Sequence, residues 1–412
     1  MSCESERRLA NVLCCCIAVC CCLQEVPCVL TNLQSLTGLS KLQSLAVIAL
    51  DSYWDGWEQP YFFNGDEDKD EAELHAAQQF PGPLTSLTKL WLPLDVMPIL
   101  GSFSELVSLQ DLQLQSTNGI PMLCTVAWVA LAQLTSLTRL HVSVEFESMN
   151  DPGVESFYGV LRQLQGLRAV GSSVWLPSFL PVLQTLTHLT AVYGSWYDNG
   201  STGGPSGLAC PHVRELGEVM NIPFNAFPNL ECVAFTRVSI RDLAALSRSC
   251  TGLQKLVLLG QYSNPVGGMR VGSAEGLEAF GSLAHLQHLT HLDLAPGNDA
   301  ELVAFTSAAA SMSNPPQLQC LHVRGPLTLF ALMQLQSVRG LRELFVHVAD
   351  RQDVRGTFAL EAARMWLVGL AVVPKVCLVL KSAEQQGVFH AATRWAAELG
   401  LPLPAVLKIS VV

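Results

Sequence analysis

Charge is scarce in this sequence. Only 14% of its 412 residues are Asp, Glu, Lys or Arg, and the basic ones are the fewer, 24 against 35. A net charge of −11 argues against a nucleic-acid partner, because binding phosphate needs lysine and arginine in excess on one face. Most of that imbalance is local. From Asp51 to Glu73 nine acidic residues stand against Lys69 alone, a net of −8, which leaves −3 for the rest of the chain. Catalytic spacings are missing too. There is no H-E-x-x-H, no G-x-S-x-G elbow, no C-x-x-C pair in the body and no kinase signature set. The glycines of GQYSNPVGGMRVGSAEGLEAF lack the G-x-x-x-x-G-K-[ST] order that cradles phosphates. The expectation is therefore a non-enzymatic protein with no cofactor and no metal site.

Long hydrophobic runs are also lacking. The uncharged stretch from Leu9 to Gln24, behind Arg7 and Arg8, is short for a membrane span, which needs about 20 apolar residues. It suits a signal-peptide core, but no small-x-small cleavage site follows Leu23. Residues 1–28 hold eight of the 14 cysteines: Cys3, Cys14, Cys15, Cys16, Cys20, Cys21, Cys22 and Cys28. Three readings of this Cys-rich segment stay open: a buried cap helix with Cys as a small hydrophobe, a targeting or acylated anchor segment, and a misplaced gene start. The other six cysteines (Cys124, Cys210, Cys232, Cys250, Cys320, Cys377) are scattered singly, unlike a secreted disulfide framework. A reduced, cytoplasmic body is expected, with membrane association through residues 1–28 as the alternative.

What the chain has in abundance is leucine at fixed spacing. Two or three L-x-x units lead into L-x-x-L-x-L, as in KLQSLAV, SLTKLWL, SLQDLQL, SLTRLHV, HLTAVYG, NLECVAF, GLQKLVL, HLTHLDL, QLQCLHV and GLRELFV. Weaker copies are GLRAVGS, PKVCLVL and AVLKISV. The first apolar residue of each short strand falls at 45, 90, 112, 140, 170, 192, 233, 256, 292, 321, 344, 376 and 407; seven of the twelve spacings lie between 22 and 30. A period of three drifts about 60° per step around a helix, so the pattern is not a plain amphipathic helix. In a strand, alternate residues face opposite ways, and the two flanking leucines point inward together. One such unit cannot bury its apolar face, whereas a stack of them can.

The blocks resemble the leucine-rich repeat family, whose period is 20 to 29 residues. The resemblance implies an α/β solenoid, a horseshoe of about 13 degenerate repeats with a parallel sheet on its concave face. It covers about residues 29–412. LAQLTSLTRLHV is similar to short repeats of the L-x-x-L-T-x-L kind, found in axoneme-associated proteins of protists and algae. NLECVAFTRVSIRDLAALSRSCTGLQKLVLLG is similar to the cysteine-containing class common in substrate receptors of ubiquitin ligases, with Cys250 ending a helical return. The sequence departs from the family in having no recognisable F-box ahead of the array. The asparagine expected three residues past the strand is mostly missing too.

Insertions break the period at 51–83, 194–226 and 260–280. In the first, Tyr53, Trp54, Trp57, Tyr61, Phe62 and Phe63 alternate with carboxylates. GDEDKDEAEL imitates a calcium loop but lacks its turn glycine and its bidentate carboxylate. A solvated, aromatic-anchored loop fits better. The second is glycine-rich, and its Asn199-Gly200-Ser201 sequon matters only in a secreted protein. Residues 382–412 read as a helix stopped by Gly400, then a last apolar strand; a solenoid normally closes with a polar cap, so this end is imperfectly capped or truncated.

Alternation along the strands selects the concave surface: Lys89, Trp91, Asp111, Gln113, Arg139, His141, Tyr193, Cys232, Lys255, His291, Asp293, Cys320, His322, Arg324, Glu343, Phe345 and His347. Charges of both signs with a few aromatics suit a protein partner. The expected function is a protein-interaction scaffold, and the expected state is a monomer. Alternatives are a ubiquitin-ligase substrate receptor and a cytoskeletal or ciliary component. His291 should neighbour Cys320, and Asp293 should neighbour His322, a quartet able to hold zinc or simply to share two surface columns. In LAHLQHLTHLDL, His285, His288 and His291 would fan too widely for one metal on a helix, and on a strand His288 and His291 would face opposite sides. Only His291 is expected on the concave sheet.

Overall fold

A computed structural model describes residues 25–28, 43–47, 85–93, 106–115, 125–143, 152–175, 177–196, 208–219, 222–235, 238–258, 273–294, 299–324, 334–335, 338, 340–348, 357–380 and 383–411. The chain divides into two compact units, residues 1–193 and 194–412. Each is an α/β leucine-rich repeat solenoid with an open sheet of parallel strands.

In the first unit the strands are β1 (Glu25–Cys28), β2 (Ser44–Val47), β3 (Lys89–Pro93), β4 (Asp111–Gln115), β5 (Arg139–Val142), β6 (Ala169–Trp175) and β7 (Ala191–Trp196). Three helices lie on the return paths: α1 (Thr125–Ala132), α2 (Pro152–Gln163) and α3 (Leu180–Thr185). From β1 to β6 each strand pairs in parallel with the next, in chain order. Leu87, Leu109, Leu137, Leu167 and Leu189 are buried three residues ahead of the buried anchors Leu90, Leu112, Leu140, Val170 and Val192. Each such leucine stabilises the fold by about 1.5–3 kcal/mol through apolar area removed from water. An aromatic layer of Trp128, Phe157, Trp175 and Phe179 fills the space under the longer returns. Phe179 meets the edges of Phe157 and Trp175 at 5.6 Å and 5.0 Å.

The second unit continues the plan with β8 (Glu215–Val219), β9 (Cys232–Phe235), α4 (Ile240–Ser249), β10 (Lys255–Leu258), α5 (Ala274–Ser282) and β11 (His291–Leu294). Then follow α6 (Asp299–Ser311), β12 (Cys320–Arg324), β13 (Glu343–Val348), α7 (Thr357–Leu370), β14 (Lys375–Leu380), α8 (Ala383–Glu398) and β15 (Val406–Val411). Pairing is again parallel and in chain order from β8 to β15. Ser239 starts α4 as a capping box: its hydroxyl accepts from the Asp242 amide at 3.0 Å and its own amide donates to the Asp242 carboxylate. Gly400, at φ +65°, ends the turn after α8 in the left-handed region that glycine tolerates.

One hydrogen-bond device joins the repeats. The amides of Thr88 and Lys89 both donate to the Gln43 carbonyl, and those of Thr138 and Arg139 both donate to the Gln110 carbonyl. The same pair recurs from Thr190 and Ala191 to Arg168, and from Thr290 and His291 to Gln254. In these four repeats the threonine hydroxyl adds a third donor to the same carbonyl, at 3.0–3.1 Å. The threonine of L-T-x-L therefore clasps one repeat to the one before it.

All thirteen sequence anchors carry strands. Two further strands were not legible: β1, inside the Cys-rich segment 1–28, and β8, inside the stretch 194–226 that reads as an insertion. Around β8 the repeat is disguised, because Cys210 and Val213 replace the two leucines ahead of Leu216. Both are fully buried. The acidic, aromatic stretch from Asp51 to Glu73, Asn199 and most of the 260–280 insertion lie outside the described residues, as do the cysteines before Cys28.

Candidate outer sheet face

Burial alternates along β5, β9, β10, β11 and β12, whereas β6, β7 and β14 each bury consecutive residues. In β5, Leu140 and Val142 are buried, whereas Arg139 and His141 are exposed and half-buried. β10 and β11 repeat the pattern, with Lys255 and His291 exposed. The residues that the sequence selects by alternation thus stand on the sheet face opposite the leucine core, in columns set by the parallel register.

In the first unit Lys89 is aligned with Asp111, and Asp111 with Arg139. Arg139 donates to the Asp111 carboxylate at 3.0 Å. Trp91, 39% exposed, is aligned with Gln113, and Gln113 with His141. His141 is aligned in turn with Gly171. A Cβ at position 171 would lie 2.1 Å from His141 Nδ1, so the missing side chain makes room for the imidazole. Tyr193, half-buried on β7, offers its carbonyl to Trp175 Nε1 at 2.7 Å, which ties the column to the aromatic layer beneath.

In the second unit Lys255 lies between Cys232 and His291, and His291 between Lys255 and Cys320. Asp293 is aligned with His322. Arg324 grips Asp293 with both ends of its guanidinium, Nε at 3.1 Å and Nη2 at 2.8 Å, while His322 Nδ1 stands 3.6 Å from the same carboxylate. The His322 ring tilts against Phe345 at 5.1 Å. Glu343 accepts from Lys375 Nζ at 2.5 Å, which pushes the Lys375 ammonium above its usual range. His347 is aligned with Arg324.

Asp293 is thus committed to Arg324. Burial pushes the Cys320 thiol up, reinforced by Glu343 and Asp293, and away from the thiolate that metal binding requires. Among the described residues no three His, Cys, Asp or Glu side chains converge on one point. His285, His288 and His291 fall on a 3₁₀ turn, a loop and a strand. His285 Nδ1 is engaged by the Ser282 carbonyl at 3.0 Å.

Cys250 caps α4 through its amide and is fully buried. It stands six residues ahead of its anchor, where Leu186 and Leu286 stand in their repeats. Its thiol is pushed up to about 12, and that of Cys210 to about 11, by burial alone. Both act as small hydrophobes.

Sequence reasoning missed several outward residues, among them the charged Glu215, Lys375 and Lys408. Glu215 was hidden with β8. Lys375 and Lys408 follow from the same alternation in PKVCLVL and AVLKISV, copies recognised as strands but not carried through to the surface. No helix among the described residues is long and apolar enough to cross a membrane.

No family model matches the chain, and no curated protein matches it. Among solved structures it is similar to an internalin from Listeria monocytogenes, at 15% identity over 78% of this chain and 93% of that one, with a TM-score of 0.32. It is also similar to TLR13 in its complex with ssRNA13, at 14% identity over 85% of this chain, with a TM-score of 0.45. The match spans 47% of that longer chain.

Proposed function

We propose that this protein is a non-enzymatic scaffold that holds a protein partner on the outer face of its repeat sheet. One observation carries the reading: along the strands the described inward positions are apolar almost throughout, Ser172 on β6 excepted, whereas the outward ones are chemically diverse. A core-only role asks nothing of the outward positions. Yet they hold an exposed tryptophan at 91, aromatics at 193 and 345, and charges of both signs ordered by register. Aromatic anchors within a polar rim are the usual makeup of a protein-binding hot spot. The helical side also exposes apolar residues, Val129 on α1 and Met365 and Val368 on α7, but no aromatic stands among them.

Affinity capture compares the wild-type chain with a variant carrying Trp91→Ala, Tyr193→Ala and Phe345→Ala. The expected outcome is loss of the specific partners from the variant, with a fold preserved by circular dichroism. Identical partner sets from both proteins would refute the assignment to this face.

A further inference from the structure

The last strand of the second unit departs from its predecessor in two ways. On β14 the inward residues Val376, Leu378 and Leu380 are fully buried, whereas on β15 Leu407 and Ile409 are half-buried and Val411 is 42% exposed. Among the described residues β15 also has a paired neighbour on one side only, β14. The Val406 amide donates to the Pro374 carbonyl at 2.9 Å. Along a strand, successive residues turn their amide and carbonyl to opposite edges. Val406, Lys408 and Ser410 therefore bond to β14, and Leu407, Ile409 and Val411 turn theirs to the open edge. Proteins usually blunt such an edge with proline, a bulge or several charges. β15 carries Lys408 alone, has no proline, and pairs with β14 in unbroken register.

These features select an occupant. Antiparallel strands set side chains of one sheet face opposite each other, so β15 pairs with a copy of itself only in registers centred on a residue. The registers of longest overlap are centred on Lys408 and on Ile409. The first sets the two lysines directly opposite, which repels, and leaves Val411 unpaired. The second sets Lys408 opposite Ser410 and Leu407 opposite Val411, with Ile409 meeting itself. Leu407, Ile409 and Val411 then exchange both backbone bonds across the junction, and their part-exposed side chains close the core of each copy. We propose that β15 pairs with β15 of a second copy, antiparallel and centred on Ile409, in a twofold-symmetric dimer where the sequence suggests a monomer. Head-to-tail stacking would offer β1 instead, whose Pro27 has no amide hydrogen. A twofold pair also closes on itself, whereas head-to-tail contacts run on into fibres unless they form a ring. The outer sheet face of each copy stays open, so the dimer and the scaffold reading stand or fall separately.

The test is sedimentation velocity of the full chain between about 1 and 100 µM. The expected result is reversible growth from the 44.6 kDa of one chain to twice that mass. Ile409→Pro deletes the amide hydrogen at the centre of the junction, one turned away from β14. It should weaken the dimer about tenfold or more and leave circular dichroism unchanged. Ser410 is exposed, so its variants probe the register without disturbing the core. Ser410→Lys sets a lysine opposite Lys408 of the second copy, once on each side of the twofold, and should weaken the dimer about fivefold. Ser410→Glu should tighten it by a similar factor. A monomer throughout the range, or a dimer indifferent to Ile409→Pro, would overturn the proposal. So would Ser410 variants that shift the dimer in the same direction or not at all. Capture of another protein by a monomeric chain, abolished by Ile409→Pro, would give the edge to that protein's strand and also overturn it. If Ile409→Pro unfolds the chain, the two Ser410 variants decide.

Discussion

Cys250 and Gly171 show how single residues are dictated by their place in the stack. Burial holds the Cys250 thiol protonated up to about 12, against 9.0 for a free thiol. Below pH 9 both folded and unfolded chains keep that proton, and the contribution of the buried thiol is fully present. Above it the unfolded chain ionises first, so stability falls as pH rises toward 12. In urea melts the advantage of the wild type over Cys250→Ala should therefore shrink between pH 8 and pH 10, on the order of the lost linkage. A constant difference across that range would contradict it. In the native protein at about pH 8, Cys250 and Cys210 should also resist alkylation mapped by mass spectrometry, and react once the chain is denatured. Gly171 is set by its neighbour. A methyl there collides with His141, so Gly171→Ala should destabilise by about 1–3 kcal/mol. Adding His141→Ala should restore most of that loss, and additivity of the two changes would show that the imidazole is not the obstacle.

Within the repeating element, the leucines were legible and the clasp was not. Strand positions follow from L-x-L alternation and a period near 25, which is why all thirteen anchors carry strands. β8 escaped because Cys210 and Val213 stand where leucines are expected, and the surrounding glycines suggested a loop. The threonine of L-T-x-L reads in sequence as a family mark; only the geometry assigns its hydroxyl to the preceding repeat. Thr138→Val keeps the shape and removes that bond to Gln110, so it should cost about 0.5–1.5 kcal/mol in equilibrium unfolding. An unchanged midpoint would mean that the twin amides alone hold the junction. Leu256→Ala, in the core of the second unit, should cost about 2–5 kcal/mol. Outward residues were readable as a set, since alternation alone places them. Their pairings were not: which carboxylate holds which cation depends on register and rotamer, as for Asp293 between Arg324 and His322.

Across the whole molecule, the division of labour is between an inner apolar column that repeats and an outer face that does not. Binding by such a surface depends on which side of the strands meets the partner, and crosslinking reads this directly. A photoreactive phenylalanine is placed in turn at Trp91 and Phe345 on the strands, and at Val129 and Met365 on the exposed sides of α1 and α7. Each protein is irradiated with its captured partner, and the crosslinked fraction is compared. Crosslinks from positions 91 and 345, with little from 129 and 365, are the predicted result. Crosslinks confined to the helical positions would contradict the assignment of the outer sheet face.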